Sequence, residues 1–570
     1  MSAGKRNNPY ARNFKEFFTS QLAEKAGIVG TRYGGENDPL ITGLEYDSRK
    51  VKPGFIYFAL PGLHADGHAF IPEAEKWGAS VIVHQDELKE FREWVTYIRV
   101  KDSRFAMSPI ADAFYNHPSR HMAVVGVTGT EGKSTTVYLI HQLLGLLGLR
   151  SGFISTVMQG DGKTDFCNPE HQTTPEAVTI HKLLADMKRN DADFAVVESS
   201  SHGLSKRTNR LGDVVFDVGV MTNVTHEHLE FHGTWEQYRS DKAELFRSLD
   251  AAPDHAKLDQ KNQQPRRKTD EVYYPQKVLH SELNALVSVP SFGVVNADDP
   301  SADFFAEATK HKTYSYSVRG ADADLSLKII ESSAWGNWYE VHAAATGEDL
   351  IIRDQLPGAF NAGNVLASLL VVSNLLSKDI KDLIPLIPYL KPVRGRMTAI
   401  SKGQPFEVMV DYAHTPSSFE TIFPPLRERL NASGGRIISL FGSAGERDTR
   451  KRPEQGRIAA AYSDIVVLCD EDPRGEDPVA ILEEIAQGCV ADQGCKTDQG
   501  AGDSKTVNKD LFLIPDRPEA IRKAFSLAKP GDLVLLLGKG HENSIIYKDG
   551  KIDYDEISEA EKALDELKNN

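Results

Sequence analysis

Between residues 124 and 135 the chain passes from an apolar strand through a Gly-rich turn and directly into a helix: Val124-Val125-Gly126-Val127-Thr128-Gly129-Thr130-Glu131-Gly132-Lys133-Ser134-Thr135. The helix that follows carries Val137, Ile140, Leu144 and Leu147 at helical spacing. Strand, glycines, Gly-Lys-Ser and helix in that order predict a phosphate-binding loop. Glycines let backbone amides approach phosphate oxygens, and the helix N-terminus adds a positive dipole. Lys133 supplies charge to the outer phosphates, and Ser134 can ligate magnesium. The strict Walker spacing asks for glycine where Val127 stands, so the loop is a variant. The expected ATP contacts are Gly129, Thr130, Glu131, Gly132, Lys133, Ser134 and Thr135.

From Ala123 onward short β-branched runs alternate with polar loops and amphipathic helices, the pattern of a mostly parallel sheet covered by helices. Candidate strands are 123–127, 194–197 and 214–221. A second α/β series follows Gly395-Arg396-Met397, with strands near 406–410, 436–441, 465–469, 511–514 and 533–537. Before residue 122, apolar runs at 55–60 and 80–83 separated by Gly, Asp and His turns read as a small α/β unit. A chain of 570 residues exceeds one hydrophobic core. The expected fold class is therefore α/β in three domains: 1–121, a small N-terminal domain; 122–393, a central P-loop domain with a parallel sheet; and 394–570, a Rossmann-like domain. Residues 251–290 and 491–505 have little periodic apolar content and read as peripheral insertions.

The formal charge of -15 repels a phosphodiester backbone, which argues against nucleic acid as a partner. Four cysteines (Cys167, Cys469, Cys489, Cys495), without CxxC spacing, give no support for a disulfide framework or a zinc site. Residues 1–18 lack the apolar stretch of a signal peptide, and no 18-residue apolar run occurs. A cytoplasmic, monomeric enzyme without membrane contact is expected.

A magnesium site near the loop needs hard ligands from neighbouring strand ends. Glu198 closes the strand 194–197, and Thr222-Asn223-Val224-Thr225-His226-Glu227-His228 follows the strand ending at Met221. In a parallel sheet both arrive at the edge that carries Ser134.

Taken together, these motifs resemble the Mur ligase family, and within it the enzymes that add the third residue of the peptidoglycan stem peptide. The resemblance spans residues 44–545. Asp47-Ser48-Arg49-Lys50-Val51 and Gly62-Leu63-His64-Ala65-Asp66-Gly67-His68 are similar to the uridine-nucleotide region, which makes 1–121 a UDP-binding domain. Tyr46, Ser48, Leu63, His64 and Ala65 are the contacts this implies. Thr128–Thr135 matches the ATP loop, with Glu131 in place of the usual asparagine. Gln172-Thr173-Thr174-Pro175 resembles the muramoyl-peptide segment. Glu198-Ser199-Ser200-Ser201-His202 resembles Glu-x-Ser-Ser-His, which implies magnesium binding by Glu198 and substrate contact by Ser200. The family arginine six residues beyond the histidine is replaced by Thr208, leaving Arg207 or Arg210 as substitutes.

Asn223 to Gly233 resembles the next motif, with Glu227 and Glu230 for aspartates and His228 as the implied magnesium ligand. Lys242 stands where the family has a carbamylated lysine that holds a second magnesium; on its own, a lysine in Asp-Lys-Ala-Glu reads as a solvated surface residue. Leu356-Pro357-Gly358, with Asn361 and Asn364, resembles a motif closing the central domain, and Asp411, Tyr412 and His414 open the third.

The reaction this implies is activation of a carboxylate by ATP to an acyl phosphate, attack by an amine, and release of ADP and phosphate. Lys133 and magnesium at Ser134, Glu198, His228 and carbamylated Lys242 would offset charge on the transferring phosphoryl group, while domain closure aligns the reactants. The substrates implied are ATP, UDP-MurNAc-L-Ala-D-Glu and an amino acid. For the amino acid the resemblance points to Arg447, to Gly538 and Glu542 of Gly-Lys-Gly-His-Glu, and to Glu471-Asp472-Pro473-Arg474. Enzymes adding diaminopimelate carry Asp-Asn-Pro-Arg at that last segment. Arg474 suits a distal carboxylate through its planar fork. Asp472 in place of asparagine adds negative charge that favours lysine or ornithine. Two other readings compete: a folylpolyglutamate synthetase-like ligase and a P-loop switch ATPase.

Overall fold

The structure, a computed structural model, describes residues 8–35, 38–62, 66–168, 172–225, 229–250, 289–333, 336–490, 496–497, 500–501 and 505–569. Contacts divide it into two compact units. The first comprises 1–328, 341–350 and 363–387; the second comprises 329–340, 351–362 and 388–570. Most of the 251–290 insertion lies outside the described residues. Of 491–505, a two-stranded antiparallel pair, Lys496–Thr497 with Gly500–Ala501, is described.

Besides a two-stranded pair, Arg12–Asn13 with Leu40–Ile41, the first unit holds a smaller and a larger sheet. The smaller has five strands in the order Ile28–Arg32, Thr96–Val100, Val81–His84, Phe55–Phe58, Gly43–Glu45. All neighbours are parallel except the edge strand Ile28–Arg32. Every residue of Val81–His84 is buried, as expected of a parallel strand covered on both faces. One face packs on the helix Ser103–Phe114, whose first turn is capped by the Asp102 carboxylate accepting from Arg104 N and Phe105 N. The same apolar cluster takes in Ala177, Val178 and Ala185 of the helix Ala177–Arg189, so this sheet and the next share a core.

The larger sheet runs Ser151–Ile154, Phe194–Glu198, Ala123–Thr128, Val218–Met221, Phe292–Asn296 and Thr313–Ser317 as parallel neighbours. The strand that comes first in the chain, Ala123–Thr128, is central, and Phe194–Glu198 and Val218–Met221 flank it. The connections leave it in opposite directions, which makes its C-terminal end the switch point where ligands bind. The expected strand 214–221 begins only at Val218. Just before it the Asp217 carboxylate accepts from Val124 N and the Ser119 hydroxyl from Val215 N, while Asp217 N still donates to Val124 O.

In the second unit the sheet order is Thr398–Ala399, Glu407–Asp411, Leu533–Leu537, Ile437–Phe441, Ile465–Leu468, Leu511–Leu513, parallel except for the first strand. Helices Pro416–Ser433, Lys451–Tyr462 and Pro478–Val490 contribute to the core on one face, and Arg517–Leu527 and Glu556–Asn569 to that on the other. The expected Rossmann-like arrangement follows from the fully apolar strand Leu533–Leu537, buried at every position.

Candidate active site

The phosphate loop is held chiefly by the end of the neighbouring strand Val218–Met221. Asn223 Oδ1 accepts from Thr130 N at 3.2 Å and Glu131 N at 2.8 Å, and Thr222 Oγ1 donates to Glu131 O at 2.6 Å. This packing explains Gly129: its φ is +151°, and a Cβ there would lie 1.9 Å from Thr222 Oγ1. Gly132, with φ +83°, caps the helix Lys133–Leu146, and a Cβ on it would meet Asn364 Oδ1 at 2.6 Å. Asn364 also accepts from Thr136 Oγ1 at 3.2 Å. Lys133 Nζ donates to Thr130 O at 2.8 Å, folding the side chain back over the loop.

Glu198, buried at the end of its strand, accepts from Ser134 Oγ at 2.9 Å and from Thr156 N and Oγ1 at 2.8 and 3.0 Å. Ser134 Oγ and Glu198 Oε2 are hard oxygen donors of the kind magnesium takes, and the hydrogen bond between them brings both to one point beside the loop. His228 lies outside the described residues. Lys242 is only 2% exposed, which removes the solvated-surface reading. Its Nζ donates to Gly129 O and lies 4.6 Å from the Tyr238 ring centroid.

A cavity of about 320 Å³ opens beside the loop, lined by Lys133, Gln172, Thr173, Thr174, Ser200 and Lys242 among others. Thr174 Oγ1 ties it together, donating to Glu198 O at 3.0 Å and accepting from Ser200 N at 3.0 Å. Ser200 Oγ caps the following turn through Gly203 N. Of the two candidate arginines, Arg210 lines this cavity and donates to Thr174 O and Glu176 Oε1, both at 2.8 Å. Arg207 instead donates to Phe231 O on an exposed surface. Thr208 Oγ1 bonds His202 O and contributes to the turn that carries Arg210 inward.

Just after the strand Gly43–Glu45, Ser48 donates to Glu73 Oε2 at 2.6 Å and is buried, while half-buried Tyr46 packs against the core beside it. Asp47 holds Arg49 in a two-point pair that keeps its carboxyl below the usual range. Leu63, His64 and Ala65 lie outside the described residues.

In the second unit, strand ends bring together Glu471, Asp472, Pro473, Arg474, Gly538 and Glu542. Asp472 Oδ1 accepts from Lys539 Nζ at 2.9 Å and from Ile546 N at 2.9 Å. Lys539 also donates to Glu542 Oε2 at 2.5 Å. One buried lysine thus serves two carboxylates, and the charge that Asp472 brings is shared with Lys539 and Glu542. Glu471 is buried, and burial pushes its carboxyl above the ordinary range; among the described residues its Oε2 has no hydrogen-bond partner. A Cβ on Gly538 would lie 3.1 Å from that oxygen. Arg474 has φ +55°, donates its N–H to Ile546 O at 2.9 Å, and has a buried Nε without a partner among the described residues. Arg447 is exposed on the loop after Phe441, and that loop is fixed to the Asp472 segment by Gly445 N donating to Asp472 O at 2.8 Å. Asp411 turns inward to accept from Met397 N and Ala413 N, both at 2.7 Å, a structural role. His414, pushed down to about 4 by burial, has Nδ1 3.0 Å from Tyr412 O.

Sequence reasoning assigned no role to Asn223, Thr156, Tyr238 or Lys539. Asn223 and Lys539 stood inside quoted motifs, so their position was a usable signal; Thr156 gave none.

A P-loop, an acidic strand end beside it and a cavity walled by Lys133, Lys242 and Arg210 define an ATP-dependent α/β enzyme. The chain belongs to the Mur ligase family. The model described as "Mur ligase family, catalytic domain" matches residues 40–115, "Mur ligase middle domain" matches 127–258 and 269–372, and "Mur ligase, glutamate ligase domain" matches 395–540. The chain is 47% identical to a UDP-N-acetylmuramyl-tripeptide synthetase of Treponema denticola, over 96% of this chain and 98% of that protein. It is 46% identical to the protein of the same name from Treponema pallidum, over 92% and 93%. Among solved structures, a UDP-N-acetylmuramoyl-L-alanyl-D-glutamate–2,6-diaminopimelate ligase aligns with TM-score 0.55 and 25% identity, covering 93% of this chain and 96% of that one. No helix among the described residues is long and apolar enough to cross a membrane.

Proposed function

We propose that this enzyme uses ATP to join a diamino acid to the D-glutamate of UDP-MurNAc-L-Ala-D-Glu, through an acyl phosphate, in the cytoplasm and as a monomer. The observation that carries the reading is the cavity that joins the phosphate-loop lysine to Gln172, Thr173, Thr174, Ser200 and Arg210. A switch ATPase has no need of such a cavity beside its γ-phosphate. The near full-length identity to tripeptide synthetases supports this reading over a folylpolyglutamate synthetase.

In this reading 1–121 binds the uridine nucleotide through Tyr46, Ser48 and residues 63–65, 122–393 carries the chemistry, and 394–570 takes the amino acid. Lys133 neutralises the outer phosphates, and Arg210 orients the muramoyl peptide. Ser134, Glu198, His228 and a carbamylated Lys242 would hold magnesium, which supplies Lewis-acid stabilisation of phosphoryl oxygens. Lys242 is buried beside the phosphate loop, where a carbamate would face the same site as Ser134 and Glu198.

For the amino acid, the Nε of Arg474, without a partner among the described residues, favours the distal carboxylate of diaminopimelate. A second reading, lysine or ornithine, is favoured by the Glu471 oxygen that has no partner among the described residues and suits an ammonium group. Parallel ligation assays with diaminopimelate, lysine and ornithine, read by product mass, decide between them. Failure of all three sinks the proposal.

A further inference from the structure

Behind the cavity three side chains form a hydrogen-bonded chain of their own. Ser201 opens the short helix Ser201–Leu204 and lines the cavity. Its Oγ lies 3.0 Å from His232 Nε2, and His232 Nδ1 lies 2.7 Å from Asp241 Oδ2. Gln237 Nε2 donates to the other Asp241 oxygen at 2.9 Å. Ser201, His232 and Asp241 are 2%, 2% and 5% exposed.

The direction of these bonds follows for a neutral imidazole. A carboxylate only accepts, so the one ring proton of His232 sits on Nδ1 and Nε2 is an acceptor. Ser201 must then donate its hydroxyl hydrogen to His232. Toward any ligand, Ser201 Oγ can act only as an acceptor. The surrounding wall offers charged donors, Lys133 and Arg210, which suit phosphate and carboxylate oxygens. An acceptor held among them calls for an N–H.

We propose that Ser201 accepts the peptide N–H of the muramoyl dipeptide, and that His232 and Asp241 are positioning residues that keep the serine hydrogen turned away from it. This rests on the ligase reading above. No bond is made or broken in this contact.

Calorimetric binding of UDP-MurNAc-L-Ala-D-Glu to the full-length protein, with ADP as the control ligand, tests it without requiring turnover. Ser201→Ala removes the acceptor and should weaken dipeptide binding about 3–10-fold, leaving ADP unchanged. Asp241→Asn keeps the shape but can donate to Nδ1, moving the His232 proton to Nε2 and turning the serine hydroxyl into a donor that opposes the N–H. Dipeptide binding should then weaken about 10–100-fold. In the double variant no hydroxyl is left to point the wrong way, so affinity should return to the Ser201→Ala value. A purely structural relay would instead give losses that multiply and would weaken ADP binding as well; either result overturns the proposal. If Asp241→Asn does not fold by circular dichroism, Ser201→Ala decides alone, and unchanged dipeptide affinity overturns it. A wild-type protein that binds the dipeptide but forms no amide would sink the ligase reading while the relay is still judged by these affinities.

Discussion

Asp472 and Lys539 form a buried ion pair at 2.9 Å, with the lysine side chain fully enclosed and Glu542 on its other side. The pair joins the two segments expected to hold the incoming amino acid, and it sets how charge is distributed there.

Lys539→Met should therefore be costly. It leaves two carboxylates facing each other without their cation, a loss of about 3–5 kcal/mol, read as a drop in the urea midpoint at constant slope. Adding Asp472→Asn to that variant should recover part of the loss. A change below about 1 kcal/mol would mean that the pair is solvent-screened.

Asp217 lies under the phosphate-loop strand, and burial raises its carboxyl to about 7. The folded state therefore holds a proton that the unfolded chain has lost above its ordinary value near 3.8. Its contribution is complete below that value and declines as pH rises toward about 7. Asp217→Asn should remove this dependence, gaining up to about 4 kcal/mol relative to wild type at pH 8 and little at pH 4. Parallel melts at the two pH values check it; equal differences at both contradict it.

Lys242→Ala should lower kcat by about 10²–10³-fold or more, with partial recovery in short-chain carboxylates that stand in for the carbamate. Near-normal activity would remove Lys242 from the chemistry.

Arg474→Met should cut kcat/KM for diaminopimelate about 30–100-fold and leave lysine or ornithine within about threefold. An equal loss for all three amino acids would assign Arg474 to the loop, not to the substrate.

What could be read from the sequence follows how local each feature is. The loop from Gly129 to Thr135 was legible because strand, turn and helix are contiguous, and Glu198 because a parallel strand end must arrive at the same edge. The pairing of Asp472 with Lys539 was not legible because the partner is 67 residues away, where no local pattern reveals it. The choice of Arg210 over Arg207 depends on a turn in which Thr208 bonds back to His202, a backbone detail that spacing alone does not give. Ser201, His232 and Asp241 come from three separate elements, and only folding brings them together.

The most direct measurement is phosphate release by the purified protein with ATP and magnesium, with and without UDP-MurNAc-L-Ala-D-Glu and a diamino acid. The expected result is release only when both are present, with one amide formed per phosphate. Equal release without the dipeptide would contradict ligation and return the chain to a P-loop ATPase of another kind.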